Sequence, residues 1–331
     1  MIRTPVTVAA PPELVSLESI RAAAVDLVGV AVRTPLLPAD ALSDQLGTPV
    51  FVKPESLQRV GAFKLRGAYT LVRRLVREGA TGVITYSSGN HGQAVAYVAK
   101  LLGLRAVIVM PETVPDAKRR GVERLGGEVV LAGRTSADRY DRAKELSARE
   151  GLAMAPPFDH EAIIAGQGTV GLEIVEDCPE VGTVCVPVGG GGLSSGVATA
   201  VKSLRASAEI VTVEPEGAPK FYTSRQKGER VVLERTASIA DGLITLNVGV
   251  LNYRHLVRFT DRSVLVSDAA MIAAVRFAID RLKLVVEPSG AATLAWLLAQ
   301  PAGSVRGPVV AVLSGGNIEW DGLAQLLGGP S

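Results

Sequence analysis

The chain reads as an α/β protein, a parallel β-sheet wrapped by helices, with a smaller α/β domain set inside a larger one. Three observations predict this. From about residue 48 onward, short β-branched runs alternate with segments of helical apolar spacing. The composition is 47% hydrophobic but only 4% aromatic and rich in Ala, Val, Leu and Gly, which suits closely packed layers and not a disordered or fibrous chain. Pro156-Pro157 interrupts the strand and helix series that runs from 82 to 150, and paired prolines favour an extended connector over a helix. With 331 residues there is room for two cores. The boundaries that follow are 1–81 with 159–331 for the larger domain and 82–158 for the smaller, inserted one.

Taken in order, residues 1–47 carry one helix-like stretch, 16–27, and the turn Pro35-Leu36-Leu37-Pro38, expected to pack onto the main body. Strands are expected at 49–53, 82–87, 105–110 and 128–132, with amphipathic helices between and after them at 66–77, 91–102, 116–125 and 137–150. Beyond the proline pair the strands are 183–188, 209–214, 263–267 and 308–313, and the helices 194–205, 268–282 and 290–299. No period of 20–50 residues repeats, which argues against a solenoid.

Charge and cysteine content narrow the function. A net charge of +2, from 35 basic and 33 acidic residues, leaves no electrostatic footprint for nucleic acid. Two cysteines, Cys178 and Cys185, make no disulfide framework, and three scattered histidines make no zinc site. No uncharged apolar run reaches the ~18 residues a membrane span needs, and the start, Met1-Ile2-Arg3-Thr4-Pro5, lacks the apolar stretch of a signal peptide. A cytoplasmic protein without nucleic-acid or membrane partners is expected.

Four segments carry the chemistry. Lys64 sits in Gly61-Ala62-Phe63-Lys64-Leu65-Arg66-Gly67-Ala68, where Ala62, Phe63 and Leu65 make a semi-apolar setting that lowers an amine pKa and favours a carbonyl-attacking nucleophile. The block Gly189-Gly190-Gly191-Gly192, followed by Leu193, ends an apolar run and opens a small-residue helix. Without side chains in the way, its N–H groups can converge on a phosphate at the positive end of that helix. Ser314, in Ser314-Gly315-Gly316-Asn317, ends Pro308-Val309-Val310-Ala311-Val312-Leu313, at the carboxyl end of a strand where ligands of open α/β sheets bind. Ser87-Ser88-Gly89-Asn90-His91-Gly92-Gln93 follows a strand and opens a helix, so it faces an anion. One such residue could be a simple N-cap, but three with a histidine exceed what a cap needs.

The glycine block has rival readings. The dinucleotide fingerprint G-x-G-x-x-G fails, because its sixth position falls on Ser194 or Ser195. A hydrolase elbow does fit: Gly192-Leu193-Ser194-Ser195-Gly196 is G-x-S-x-G, and Asp241 and His255 follow in α/β-hydrolase order. That alternative, a serine hydrolase using Ser194, lacks a His-Gly-Gly-Gly segment and leaves the other three segments unexplained.

Together the four segments resemble the pyridoxal-phosphate (PLP) enzymes of fold type II, the tryptophan synthase β-like fold, and within them the threonine/serine dehydratase and serine racemase group. The resemblance spans about residues 15–320. It implies two domains with the site in the cleft between them, and PLP carried on Lys64 with Phe63 beside its ring. It implies that Gly189 to Gly192 and Leu193 hold the phosphate, that Ser314 meets the pyridine nitrogen, and that Asn90 contacts the 3′-oxygen. The segment Ser87, Ser88, Gly89, Asn90 and His91 would bind the substrate carboxylate, with Gly242 and Glu287 lining the cofactor pocket and Phe158 at a pocket position. Gly166-Gln167-Gly168-Thr169, Ala240-Asp241-Gly242 and Glu287-Pro288 match further family segments. The activity implied is α,β-elimination from a β-hydroxy amino acid, L-threonine or L-serine, to a 2-oxo acid and ammonia, with Lys64 as base. Racemisation, with Ser88 as the opposite acid/base, is the alternative. Tyr222, Leu243 and the 244–254 loop would tune the substrate, and a homodimer or homotetramer is expected.

Two departures from the family stand out. Some members bind a divalent ion through a segment equivalent to Glu214-Pro215-Glu216-Gly217-Ala218-Pro219-Lys220, but here a lysine replaces the second acid. Its charge would repel a dication and could pair with Glu214, so no metal is expected. The chain also leaves no residues for the regulatory domain that biosynthetic threonine dehydratases append, so feedback control by isoleucine is not expected.

Overall fold

A computed structural model describes residues 13–87 and 89–328. Along the chain, α1 (Leu17–Asp26) is capped by the Ser16 hydroxyl and leads to β1 (Leu37–Pro38), α2 (Asp40–Leu46) and β2 (Val50–Pro54). Two short 3₁₀ turns, Glu55–Leu57 and Arg59–Gly61, then deliver α3 (Lys64–Arg77). Four βα steps follow: β3 (Gly82–Thr85) with α4 (Asn90–Leu101), β4 (Arg105–Met110) with α5 (Asp116–Arg124), β5 (Glu128–Leu131) with α6 (Ser136–Glu150), and β6 (Ala153–Met154) with α7 (Glu161–Asp177). The remainder is β7 (Thr183–Pro187), α8 (Gly192–Leu204), β8 (Glu209–Pro215), α9 (Lys220–Lys227), α10 (Val250–Phe259), β9 (Arg262–Val266), α11 (Asp268–Phe277), α12 (Pro288–Leu298), β10 (Val309–Leu313) and α13 (Trp320–Gly328).

The strands form two sheets. The larger has the order β1-β2-β10-β7-β8-β9 and the smaller β5-β4-β3-β6. Every pairing is parallel except β1 with β2. Parallel strands covered on both faces bury their side chains, which is why β3, β7 and β10 are buried along their whole length and are apolar but for Thr85 and Thr183.

All eight strands expected from the sequence form, the second of them shortened so that Tyr86 and Ser87 leave the sheet. The helix expected over 268–282 is α-helical only to Phe277 and ends in a π-helical turn, Ala278–Leu282. The largest omission in the sequence reading is α7, of whose 17 residues twelve are buried. A helix buried on nearly all sides has no polar face and so no amphipathic period. Its glycines allow close approach: a Cβ on Gly166 would stand 2.6 Å from the Arg66 carbonyl of α3, and one on Gly171 2.8 Å from the Val197 carbonyl of α8. Among the described residues no helix is long and apolar enough to cross a membrane.

Candidate active site

Strand direction gathers the functional segments. The Lys64 loop leaves the carboxyl end of β2, Gly189 follows that of β7, and Ser314 follows that of β10, which lies between them in the sheet. The 87–91 segment leaves the carboxyl end of β3 in the smaller sheet.

Backbone contacts staple the Lys64 loop to the Ser314 segment. The Phe63 N–H donates to the Ser314 carbonyl at 3.1 Å, Gly316 N–H donates to the Gly61 carbonyl at 2.9 Å, and Ala62 bridges to Gly315. Gly61 has φ +70°, and any side chain there would collide with Asn317. Lys64, the first residue of α3, reaches toward the proline pair, where its Nζ donates to the Pro157 carbonyl at 2.8 Å. The Phe63 ring centre lies 5.2 Å from the same nitrogen. Desolvation by the surrounding protein pulls the amine pKa down to about 8.

Beneath α3 lies a buried ionic cluster. Arg66 makes a two-point contact with Glu55, both bonds 2.8 Å, and also bonds Glu173, which pairs with the buried Lys53 at 2.6 Å. Thr34 donates a further bond to Glu55. The cluster fixes the start of the helix that carries Lys64.

The four glycines form a cradle. Gly191, at φ +97°, is the N-cap of α8 and supplies no side-chain bond, so the first N–H groups of the helix, Leu193 included, are left open. The Leu193 side chain is buried in a core against which Phe63 packs. The Gly190 carbonyl is held by the Asn252 amide at 2.9 Å and the Gly249 N–H at 3.0 Å. Neighbours occupy the space that side chains would need: three carbons of the Phe158 ring lie within 2.5 Å of a Cβ on Gly190, and the Gly242 carbonyl lies 2.6 Å from one on Gly189. A loop stripped of side chains, ending in an uncapped helix, fits a phosphate group.

The Ser314 hydroxyl is buried, and its contact to the Ser289 carbonyl, 3.4 Å, is long for an O–H donor, so the group is available to a better acceptor or donor. Ser289 Oγ in turn accepts the Gly242 N–H at 2.9 Å. Beside Ser314, Asn90 donates to Glu287 at 2.7 Å and accepts from Asn317 at 2.8 Å. Burial, reinforced by Asp241, pushes the Glu287 carboxyl up to about 8, so it is mostly protonated at neutral pH.

At the other wall, α4 begins at Asn90 with Gly89 as N-cap and no side-chain cap, which leaves open N–H groups facing out from Asn90 and His91. The Gly89 N–H makes a long, 3.4 Å contact to the Ser87 hydroxyl. The His91 ring turns inward: its Nε2 lies 3.1 Å from the Ala155 carbonyl, which requires the proton there, and Nδ1 is buried and has no partner among the described residues. Burial and the Lys64 charge hold it neutral, with a pKa of about 3. What His91 offers an anion is therefore its backbone N–H. Ser88 lies outside the described residues.

The family described as pyridoxal-phosphate dependent enzyme matches residues 29–315. The chain belongs to this family. An L-threonine ammonia-lyase of Geobacter sulfurreducens is 41% identical over 288 residues, 87% of this chain and 72% of that one. The L-threo-3-hydroxyaspartate ammonia-lyase of Saccharomyces cerevisiae is 39% identical over 90% of this chain and 91% of its own. Among solved structures, maize serine racemase superposes with TM-score 0.90 at 35% identity, covering 95% of this chain and 97% of its own. A T.th. threonine deaminase superposes with TM-score 0.87 at 40% identity, covering 92% of this chain and 99% of its own. The fold is thus that of the fold type II PLP enzymes, the chain is a PLP-dependent ammonia-lyase-type enzyme, and its cofactor is pyridoxal 5′-phosphate.

In this PLP enzyme the hydrolase alternative is ruled out by geometry. Ser194 Oγ is buried and contacts the Gly191 carbonyl at 3.2 Å. His255 is bonded to Thr199 and accepts the Val15 N–H, while Asp241 pairs with Lys118. The three share no hydrogen bond, because Ser194 follows a phosphate cradle and points into the body of α8. Sequence reasoning missed the Pro157 carbonyl, Asn252 and Ser289. None stands in a motif; Pro157 belongs to the proline pair and Asn252 to the 244–254 stretch expected to tune the substrate, which from Val250 onward is helix α10 and not loop. Asn317 stands in the Ser314 segment, but its bond to Asn90 depends on the two sheets meeting.

Proposed function

We propose that the chain converts a β-hydroxy amino acid, L-threonine or L-serine, to a 2-oxo acid and ammonia. The observation that carries this reading is Lys64: an amine brought near neutrality by burial, beside the glycine cradle and the buried Ser314 hydroxyl. Bound PLP supplies an electron sink for the bond broken at the α-carbon. The N–H groups at the start of α8 would hold its phosphate, Ser314 would meet the ring nitrogen, and Asn90, fixed between Glu287 and Asn317, would meet the 3′-oxygen. A neutral serine there would not keep that nitrogen protonated, so the ring would be a weaker electron sink, which suits elimination. The open N–H groups at the start of α4, with Ser87, take the substrate carboxylate. Lys64 Nζ removes the α-proton, and the β-hydroxyl leaves with a proton as water. The released enamine takes up water and yields the 2-oxo acid and ammonia.

Residues 82–158 would form the smaller domain and 1–81 with 159–331 the larger, with the site between them. Two unpaired, buried cysteines suit a reducing cytoplasm, and a homodimer or homotetramer is the assembly we expect. A second reading, amino-acid racemase with Ser88 as opposing acid/base, is favoured by the likeness to maize serine racemase. Incubating the enzyme with L-threonine, L-serine and L-threo-3-hydroxyaspartate, and following 2-oxo acid, ammonia and enantiomer composition, separates the two. Inversion without ammonia from every substrate would overturn the lyase reading. Lys64→Ala should lose both turnover and the visible band near ~410–420 nm of a lysine-bound cofactor.

A further inference from the structure

Lys220 opens α9 and is wholly buried, as is Glu214, with both side chains 0% exposed. Its Nζ lies among four oxygens: the carbonyls of Val188 and Leu243 at 2.8 Å, Glu214 Oε1 at 3.1 Å and the Ala218 carbonyl at 3.2 Å. All four are acceptors, so the group they suit is an ammonium with three N–H donors. A neutral amine would turn its lone pair toward one of them. Glu214 is held in place by the Phe221 and Tyr222 N–H groups at 2.9 and 2.6 Å.

Two of the four oxygens belong to the cofactor site. Val188 immediately precedes the four glycines, and Leu243 follows Gly242, whose carbonyl lies against Gly189. The Leu243 carbonyl and the Val188 carbonyl come from separate segments, and among the described residues Lys220 Nζ donates to both. Three carbonyls and a carboxylate are also a donor set that oxygen-seeking metal ions accept. We propose that the Lys220 ammonium is a built-in cation that positions the phosphate cradle, supplied by the chain itself and therefore never lost to dilution or chelation. Lys220 is a positioning residue. Its Nζ is enclosed by four protein oxygens and acts through the loops that carry them, so its role does not depend on which amino acid the enzyme uses.

Two substitutions separate charge from bulk. Lys220→Met keeps the stem and removes the charge, whereas Lys220→Ala opens a space lined by the same oxygens. PLP affinity of the apoproteins is measured by absorbance titration, and uptake of methylammonium, K⁺ or Mg²⁺ by calorimetry in the absence of PLP. Wild-type affinity should not respond to EDTA or to these cations. Both variants should bind PLP about five- to 150-fold more weakly, as expected for buried acceptors left without a donor. At least one cation should bind to and restore Lys220→Ala, and none should restore Lys220→Met, whose stem blocks the space. Lys220→Met binding PLP like the wild type, or Lys220→Ala ignoring all three cations, would overturn the proposal. Should Lys220→Ala fail to fold, its soluble yield is compared in methylammonium and in bulkier tetramethylammonium, and equal yields would count equally against it.

Discussion

Adding one methyl group at Gly190 should loosen the cofactor without unfolding the chain. Gly190, unlike Gly191, does not require a positive φ, so an alanine backbone is admissible there. The obstacle is space, because three Phe158 ring carbons lie within 2.5 Å of the new Cβ. Carbon atoms settle at about 3.5–4.0 Å, so the ring or the loop must retreat by about 1 Å. Overpacking of this kind costs about 1–3 kcal/mol. If the strain falls on the loop, PLP affinity drops about five- to 150-fold. The assay is titration of apoprotein with PLP, followed by absorbance, for Gly190→Ala, Phe158→Ala and the double variant. Removing the ring should restore much of what Gly190→Ala loses, a coupling that a double-mutant cycle reads directly. Gly121→Ala, on α5, is the control, since its Cβ would meet only ordinary contacts, none closer than 3.7 Å. Unchanged affinity in Gly190→Ala, or a double variant no better than the single one, would refute the packing argument.

Three further outcomes are expected. With Lys64 at about 8 rather than the ordinary 10.5, the neutral amine fraction at pH 7 is about 300-fold larger than for a free lysine. PLP attachment to apoprotein should therefore rise with pH and level off above about 8, and a rise continuing past pH 10 would contradict the desolvated site. Removing Arg66 leaves Glu55 and Glu173 without their guanidinium partner. Arg66→Ala should lose about 3–5 kcal/mol of stability in urea denaturation, and an unchanged midpoint would deny the cluster its structural role. Glu287, raised from 4.5 to about 8 by burial, binds its proton more tightly folded than unfolded, so this group's contribution to stability falls as pH rises from 4.5 through 8. Glu287→Gln should flatten that slope while keeping the contact to Asn90, and identical slopes in both proteins would show that Glu287 is not the titrating group.

Legibility in the sequence followed how each element is buried. Strands β3, β7 and β10 are apolar runs closed off by Gly, Pro or Ser, so their carboxyl ends, and the site segments after them, stand out in the residue pattern alone. Helix α3 showed its amphipathic stripe because one face meets water. Helix α7 did not, because glycines at 166, 168 and 171 let other helices press against it on several sides. The Lys220 pairing with Glu214 was readable as a lysine facing an acid, but its contacts to Val188 and Leu243 join segments 23 or more residues apart, which no local pattern encodes. Asn252 of α10 falls in the 244–254 stretch, but its bond to the Gly190 carbonyl joins residues 62 apart, beyond the reach of any local pattern.

What the structure adds to the motifs is a common direction of electrostatic tuning. Burial lowers Lys64, lowers His91 and raises Glu287, each toward its neutral form. At neutral pH His91 and Glu287 are thereby mostly uncharged, while Lys64 stays mostly an ammonium with a far larger neutral fraction than a free lysine, and the phosphate and the substrate carboxylate meet open N–H groups at two helix starts. The full charges stand one layer back, in the Arg66 cluster beneath Lys64 and in the Lys220–Glu214 pair behind the glycines. The desolvated groups at the site are held close to losing their charge, and the buried ion pairs behind them hold the loops in place. Substitutions in the outer layer should therefore act chiefly on cofactor affinity and stability, and substitutions of Lys64 on turnover itself.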